Sequence, residues 1–232
     1  TNSSIERNEG GYLSLGQKMW KRAKNIIPGG NMLLSKRPEM YAPNQWPTYY
    51  SKAKGCYVWD LEKKKYLDMS LMSVGTNILG YSNNSVDNAV IKTIKNSNMS
   101  SLNCPEEIHL SEKLIDMHKH LDMVRYARTG GEANAIAIRV ARAAQNKDKH
   151  KIAICGYHGW HDWYLSSNLD NQKNLDNHLI TSLKPNGVPS FLKNTCYPFE
   201  YGDYKKFNQL ISKKNIGIIM MEVTRNKLLN LK

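Results

Sequence analysis

The stretch Arg128-Thr129-Gly130-Gly131-Glu132-Ala133, with the segments on either side of it, decides how this chain is read. Before it, Met123-Val124-Arg125-Tyr126-Ala127 has the composition of a short β-strand. After it, Ala133, Ile136, Ala137, Val140, Ala141 and Ala144 recur at helical spacing, and Arg139, Arg142 and Gln145 fall on the opposite side. Lys151-Ile152-Ala153-Ile154-Cys155 then reads as a second strand. The order strand, glycine turn, helix, strand predicts a parallel sheet, with the turn at the carboxyl end of the first strand. Open α/β sheets bind ligands at that end. Two glycines let the backbone approach an anion closely. The first helix amides lack internal partners and carry the positive end of the helix dipole, so a phosphate group suits the turn. The competing reading is a βα turn in which glycine serves geometry alone, with Glu132 as an ordinary first-turn acid.

Working outward, residues 12–27 carry Leu15, Met19, Ala23 and Ile26-Ile27 along one helical face, and Pro28-Gly29-Gly30 stops that helix. Residues 31–47 hold Pro38, Pro43 and Pro47 without periodicity and are expected to be irregular. Residues 48–69 predict a β-meander with strands at 48–53, 56–60 and 66–69, Trp59 and Tyr66 being candidates for cross-strand core residues. Helices are expected from about Ser85 to Lys95, from Glu106 to His120 with His109, His118 and His120 on its surface, and from Tyr204 to Lys213 with Asp203 as its cap. Residues 164–198 read as polar and loop-rich. Ile216-Gly217-Ile218-Ile219-Met220-Met221 reads as a buried strand with Glu222 at its carboxyl end.

The chain has 232 residues, 41% of them hydrophobic, enough for a substantial core. No apolar run is long enough to span a membrane, and the first residues hold no apolar signal segment. Cys56, Cys104, Cys155 and Cys196 form no C-x-x-C pair, so reduced thiols in a cytoplasm are the expectation. The net charge of +13 is spread along the chain. Its densest run, Lys63-Lys64-Lys65, follows Glu62, which points to a solvated basic surface and not to a nucleic-acid groove.

Taken together, Pro28-Gly29-Gly30, Ala53-Lys54-Gly55-Cys56-Tyr57-Val58-Trp59-Asp60, Ile78-Leu79-Gly80-Tyr81, Thr129-Gly130-Gly131-Glu132-Ala133 and Gly156-Tyr157-His158-Gly159 resemble the class III aminotransferases in order and spacing. These are pyridoxal-phosphate enzymes of fold type I, and the resemblance is nearest the glutamate-1-semialdehyde aminomutase branch. It covers residues 12 to 225. It implies an α/β fold, with an N-terminal helix, loop and meander over residues 1–70 and part of the cofactor-binding large domain over residues 71–232. It implies that Thr129, Gly130 and Gly131 hold the cofactor phosphate, with Gly131 standing where a hydroxyl residue is usual. Tyr157 then corresponds to the aromatic residue that stacks on the pyridine ring. A core Tyr is the other reading of it. His158 belongs to the same motif without an assigned step, and Glu222 matches an acid near the cofactor or is a plain strand-end residue.

The resemblance further implies a small amino acid or amino-aldehyde as substrate and a homodimer. The family's aspartate under the ring nitrogen and its Schiff-base lysine have no counterpart here. Lys227 and Lys232 lie in no matching motif, so no catalytic residue is assigned. The expectation is therefore the front part of such an enzyme, inactive by itself. Two readings compete with it. One is a metal site on Cys155, His158, His161 and Asp162. The other is a non-catalytic interaction module.

Overall fold

The computed structural model describes residues 13–145, 149–178 and 183–223. The chain divides into two compact units, Thr1–Cys104 and Pro105–Lys232.

In the first unit, helix α1 (Leu15–Ile26) starts at a capping box. The Ser14 hydroxyl accepts from the Gln17 amide, and the Gln17 side chain accepts from the Ser14 amide. Trp20 and Ala23 form its buried face. The chain then turns at Gly29 and Gly30, both at positive φ. A side chain at Gly30 would run into the Trp20 ring, so the turn closes directly over the helix. Two single 3-10 turns, Leu34–Lys36 and Pro38–Met40, punctuate the irregular segment that follows. Strands β1 (Tyr50–Lys54), β2 (Tyr57–Asp60) and β3 (Lys65–Leu67) make the antiparallel meander in the order β1-β2-β3. Trp59 and Tyr66 are not cross-strand partners: Trp59 faces Lys65, and Tyr66 faces Val58. The Trp59 ring lies under the Lys52 and Lys65 ammonium groups, at 5.1 and 5.5 Å, and stays half-buried. Helix α2 (Asn84–Lys95) is capped by the Asn83 side chain and has no buried residue.

The second unit opens with α3 (Glu106–Met117), which stops short of His120. Residues 121–127 are not a strand. Other segments of the unit build its sheet. It holds β4 (Lys151–Cys155), β5 (Cys196–Pro198) and β6 (Ile216–Met221) in the order β5-β4-β6, all parallel. Both edges of β4 are therefore taken, and residues 121–127 pair with neither outer strand. Strand β5 lies inside the segment read as loop.

Side chains alternate along β4. Ile152 and Ile154 enter a cluster with Ile138, Trp163, Tyr164, Leu175, Cys196 and Ile218, while Ala153 and Cys155 face Phe199 and Leu210 on the other side. Helices α4 (Gly130–Ala144) and α5 (Asp162–Leu165) cover the first face, and α6 (Tyr204–Lys213) covers the second. Such double coverage explains the unbroken apolar run of the central strand. Asp203 caps α6 by accepting from the Lys206 amide at 2.9 Å.

Helix α4 differs from expectation in its orientation. Its inner face carries Asn134, Ala135, Ile138 and Ala141, with Ile138 2% exposed, whereas Val140 is 63% exposed. The apolar stripe through Ala133, Ala137, Val140 and Ala144 faces outward. The helix is rich enough in alanine for two faces to be apolar, and periodicity alone does not choose between them.

Candidate functional site

Helix α4 begins with a second capping box. The Thr129 hydroxyl accepts from the Glu132 amide at 3.2 Å, and Glu132 Oε2 accepts from the amides of Arg128 and Thr129 at 3.0 Å each. That arrangement uses the Glu132 amide and keeps the carboxylate turned back over the cap. Among the described residues no side chain takes the amides of Gly130 and Gly131, which point out of the helix start. The Thr129 hydroxyl proton remains able to donate.

Strand β4 runs into the turn Gly156-Tyr157-His158-Gly159. Gly156 and Gly159 have φ of 101° and 107°, values that favour glycine. Four contacts fix the turn. The Gly156 amide donates to His178 Nδ1 at 3.1 Å, so that nitrogen carries no proton. The Tyr164 hydroxyl donates to the Gly156 carbonyl at 3.0 Å. His158 Nε2 sits 2.9 Å from the Cys155 carbonyl and donates to it. Asn134 Nδ2, one turn into α4, donates to the His158 carbonyl at 3.0 Å. The last of these contacts fastens the turn to the start of α4. Glycine at both contact points permits the approach, since a Cβ at Gly159 would lie 3.2 Å from Gly131 Cα.

The other edge is closed by β6. Glu222, just past its last residue, accepts from the Tyr157 amide through Oε1 at 3.2 Å. A Cβ at Gly156 would strike the Glu222 carboxyl carbon at 2.8 Å, so the acid lies directly against the turn. Tyr157 is half-buried and packs edge-on against Tyr164 at 5.9 Å, and burial raises its phenol above the usual value. His158 is buried and is 6.0 Å from the same Tyr164 ring. Thr129, Gly130, Gly131, Tyr157, His158 and Glu222, separated by up to 93 positions in the chain, thus meet at the carboxyl end of one parallel sheet.

The metal reading is not met. Cys155 is buried within β4, the His158 ring is turned to a backbone carbonyl, and His161 turns toward Gly131. Among the described residues no group of three or more His, Cys, Asp and Glu could hold a metal ion. Sequence reasoning missed Asn134, Tyr164 and His178 as supports of the turn. Asn134 was the accessible one, three residues beyond Gly131 on the same helix face. Nothing in the sequence joins His178 to Gly156. Lys227 and Lys232 lie outside the described residues.

The donor set suits a phosphorylated, flat cofactor. Two adjacent amides with no side-chain partner among the described residues and a hydroxyl lie at a helix start, and an aromatic residue stands on the glycine turn packed against it.

Comparison with known proteins agrees with this architecture. The chain is 32% identical over 91% of its length to a 3-aminobutyryl-CoA aminotransferase of Cloacimonas acidaminovorans, covering 47% of that protein. It is 31% identical over 88% of its length to a glutamate-1-semialdehyde 2,1-aminomutase of Campylobacter hominis, covering 44% of it. It spans about half the length of the curated relatives it matches. In fold it resembles an omega-transaminase from Sphaerobacter thermophilus, with a TM-score of 0.72 at 22% identity over 95% of this chain and 49% of the other. With the family model for class III aminotransferases matching residues 40–215, more than half of its length, the chain belongs to that family.

Proposed function

We propose that these residues form the phosphate- and ring-binding part of a pyridoxal-phosphate enzyme that moves an amino group, an aminotransferase or an aminomutase acting on a small amino acid or amino-aldehyde. One observation carries the reading: the start of α4 and the turn after β4 are fastened together through Asn134 and His158, with Glu222 closing the far side. When bound, the cofactor supplies an electron-withdrawing ring that stabilises negative charge on the substrate carbon. In this reading the amides of Gly130 and Gly131 and the Thr129 hydroxyl hold the phosphate, and the Tyr157 ring lies against the pyridine. Glu222 holds Tyr157 by its amide and presents a carboxylate beside the site. His158 is spent on the Cys155 carbonyl and serves the shape of the turn. The family resemblance adds a homodimer and a cytoplasmic setting to the proposal.

None of the residues matched to the family takes the part of the covalent lysine. The 232 residues are therefore expected to bind pyridoxal phosphate without a covalent bond and to transfer no amino group at an enzymatic rate. Titration of the purified chain with pyridoxal phosphate, followed by tryptophan fluorescence, should give saturable quenching, because Trp160 and Trp163 flank the turn. Borohydride treatment should leave the protein mass unchanged. Absence of saturable binding would overturn the reading of the site, and a mass increase on one lysine would overturn its non-covalent character.

A further inference from the structure

Gly131 has no side chain, yet the space beside it is filled. A Cβ built there would lie 2.5 Å from His161 Cε1 and 2.8 Å from Nδ1. The imidazole therefore occupies the position that a side chain of residue 131 would take. It is held there by stacking on the Trp160 ring, with centroids 4.8 Å apart and planes at 17°. Gly159, packed on Gly131 Cα, lies 3.7 Å from the same nitrogen by its would-be Cβ, so the ring sits between the two glycines. His161 Nδ1 is buried and has no hydrogen-bond partner among the described residues. A buried polar atom without a partner is costly, and one that faces a helix start calls for an explanation. The helix start beside it presents donors, the amides of Gly130 and Gly131 and the hydroxyl of Thr129. With its proton on Nδ1, His161 becomes a further donor in the same set, and a set made of donors is completed by a guest that only accepts.

Resting on the function proposed above, we propose that His161 is a phosphate-binding residue of this site, donating through Nδ1 from the place that the absent side chain of residue 131 leaves open. Gly131 and His161 then act as a pair: the glycine makes room, and the histidine returns the hydrogen bond.

The test compares pyridoxal phosphate with pyridoxal, which lacks the phosphate, by fluorescence titration of the full chain. His161→Ala should weaken pyridoxal phosphate binding by about tenfold or more, the range of a charge-assisted hydrogen bond, and leave pyridoxal binding within about twofold. His161→Asn, whose amide nitrogen can reach the position of Nδ1, should retain most of the preference. Gly131→Ser combined with His161→Ala should restore it, since a hydroxyl then takes the vacated space, whereas Gly131→Ser alone should weaken binding by collision with the ring. The 31P resonance of bound pyridoxal phosphate should shift in His161→Ala and return in the double variant. Unchanged preference in His161→Ala, or equal loss for both ligands, overturns the role of His161 while leaving the wider reading intact. A parent chain that binds neither ligand overturns both.

Discussion

Asp60 shows how much one side chain can organise. It is 7% exposed at the end of β2. Its Oδ1 accepts from the amides of Glu62 and Lys64, and its Oδ2 accepts from the Tyr66 hydroxyl, at 2.9 Å each. The carboxylate therefore ties the turn and the third strand to the second. Burial pushes the Tyr66 phenol up to about 12, with the bond to Asp60 and the Asp60 charge adding to it, and Tyr81 reaches about 12 through burial and its bond to Asp68. A phenol that holds its proton more tightly when folded stabilises the fold below the unfolded value near 10, and that contribution is lost as pH rises toward 12. Ultraviolet titration should show Tyr66 and Tyr81 ionising well above the ordinary phenol range. Asp60→Asn should bring Tyr66 part of the way down, burial remaining. The same scale separates the legible parts of the site from the hidden ones. Thr129 and Tyr157 are visible in the sequence because each stands beside a glycine at a helix start or after a strand, and Glu222 because it ends an apolar strand run. Tyr164, His178 and the position of His161 are not, because their partners are reached only through the folded chain.

Among the elements, α4 supplies the sharpest test. Its two apolar stripes look equivalent in sequence, yet only the one through Ala135, Ile138 and Ala141 meets the sheet. Ile138→Ala should cost about 2–5 kcal/mol in urea unfolding, because it opens a cavity in the cluster with Ile152 and Ile218. Val140→Ala should change stability by less than about 0.5 kcal/mol. Equal losses at the two positions would reverse the assigned face. Helix α1, the meander and α6 were readable because a cap or a glycine stop agrees with the period in each. Strand β5 escaped notice for the opposite reason. It is three residues long, ends in Pro198, and owes its conformation to the edge of β4. Residues 123–127 failed conversely, having strand composition yet pairing with no strand of the sheet.

Across the whole molecule, the apolar surface is unevenly used. Val86, Val90, Ile91 and Ile94 of α2 are each about half exposed, and Ile108, Leu110 and Met117 of α3 are at least as open. Large exposed apolar areas promote association. The purified chain should therefore bind an apolar dye such as ANS and sediment as species larger than its 26.5 kDa, and Val90→Lys with Ile94→Lys should reduce both. A dye-silent monomer would show that these faces are inert. Strand β4 stands in contrast to that open surface. It has a neighbour on each edge and helices over both faces, and Ile152, Ala153 and Ile154 are fully buried. Its amides should be among the last in the unit to meet solvent, so the turn at its end is rooted in the longest-lived part of the structure. The outer rim of the site can therefore loosen and reclose many times while its base keeps its place, and losing that base means unfolding the unit.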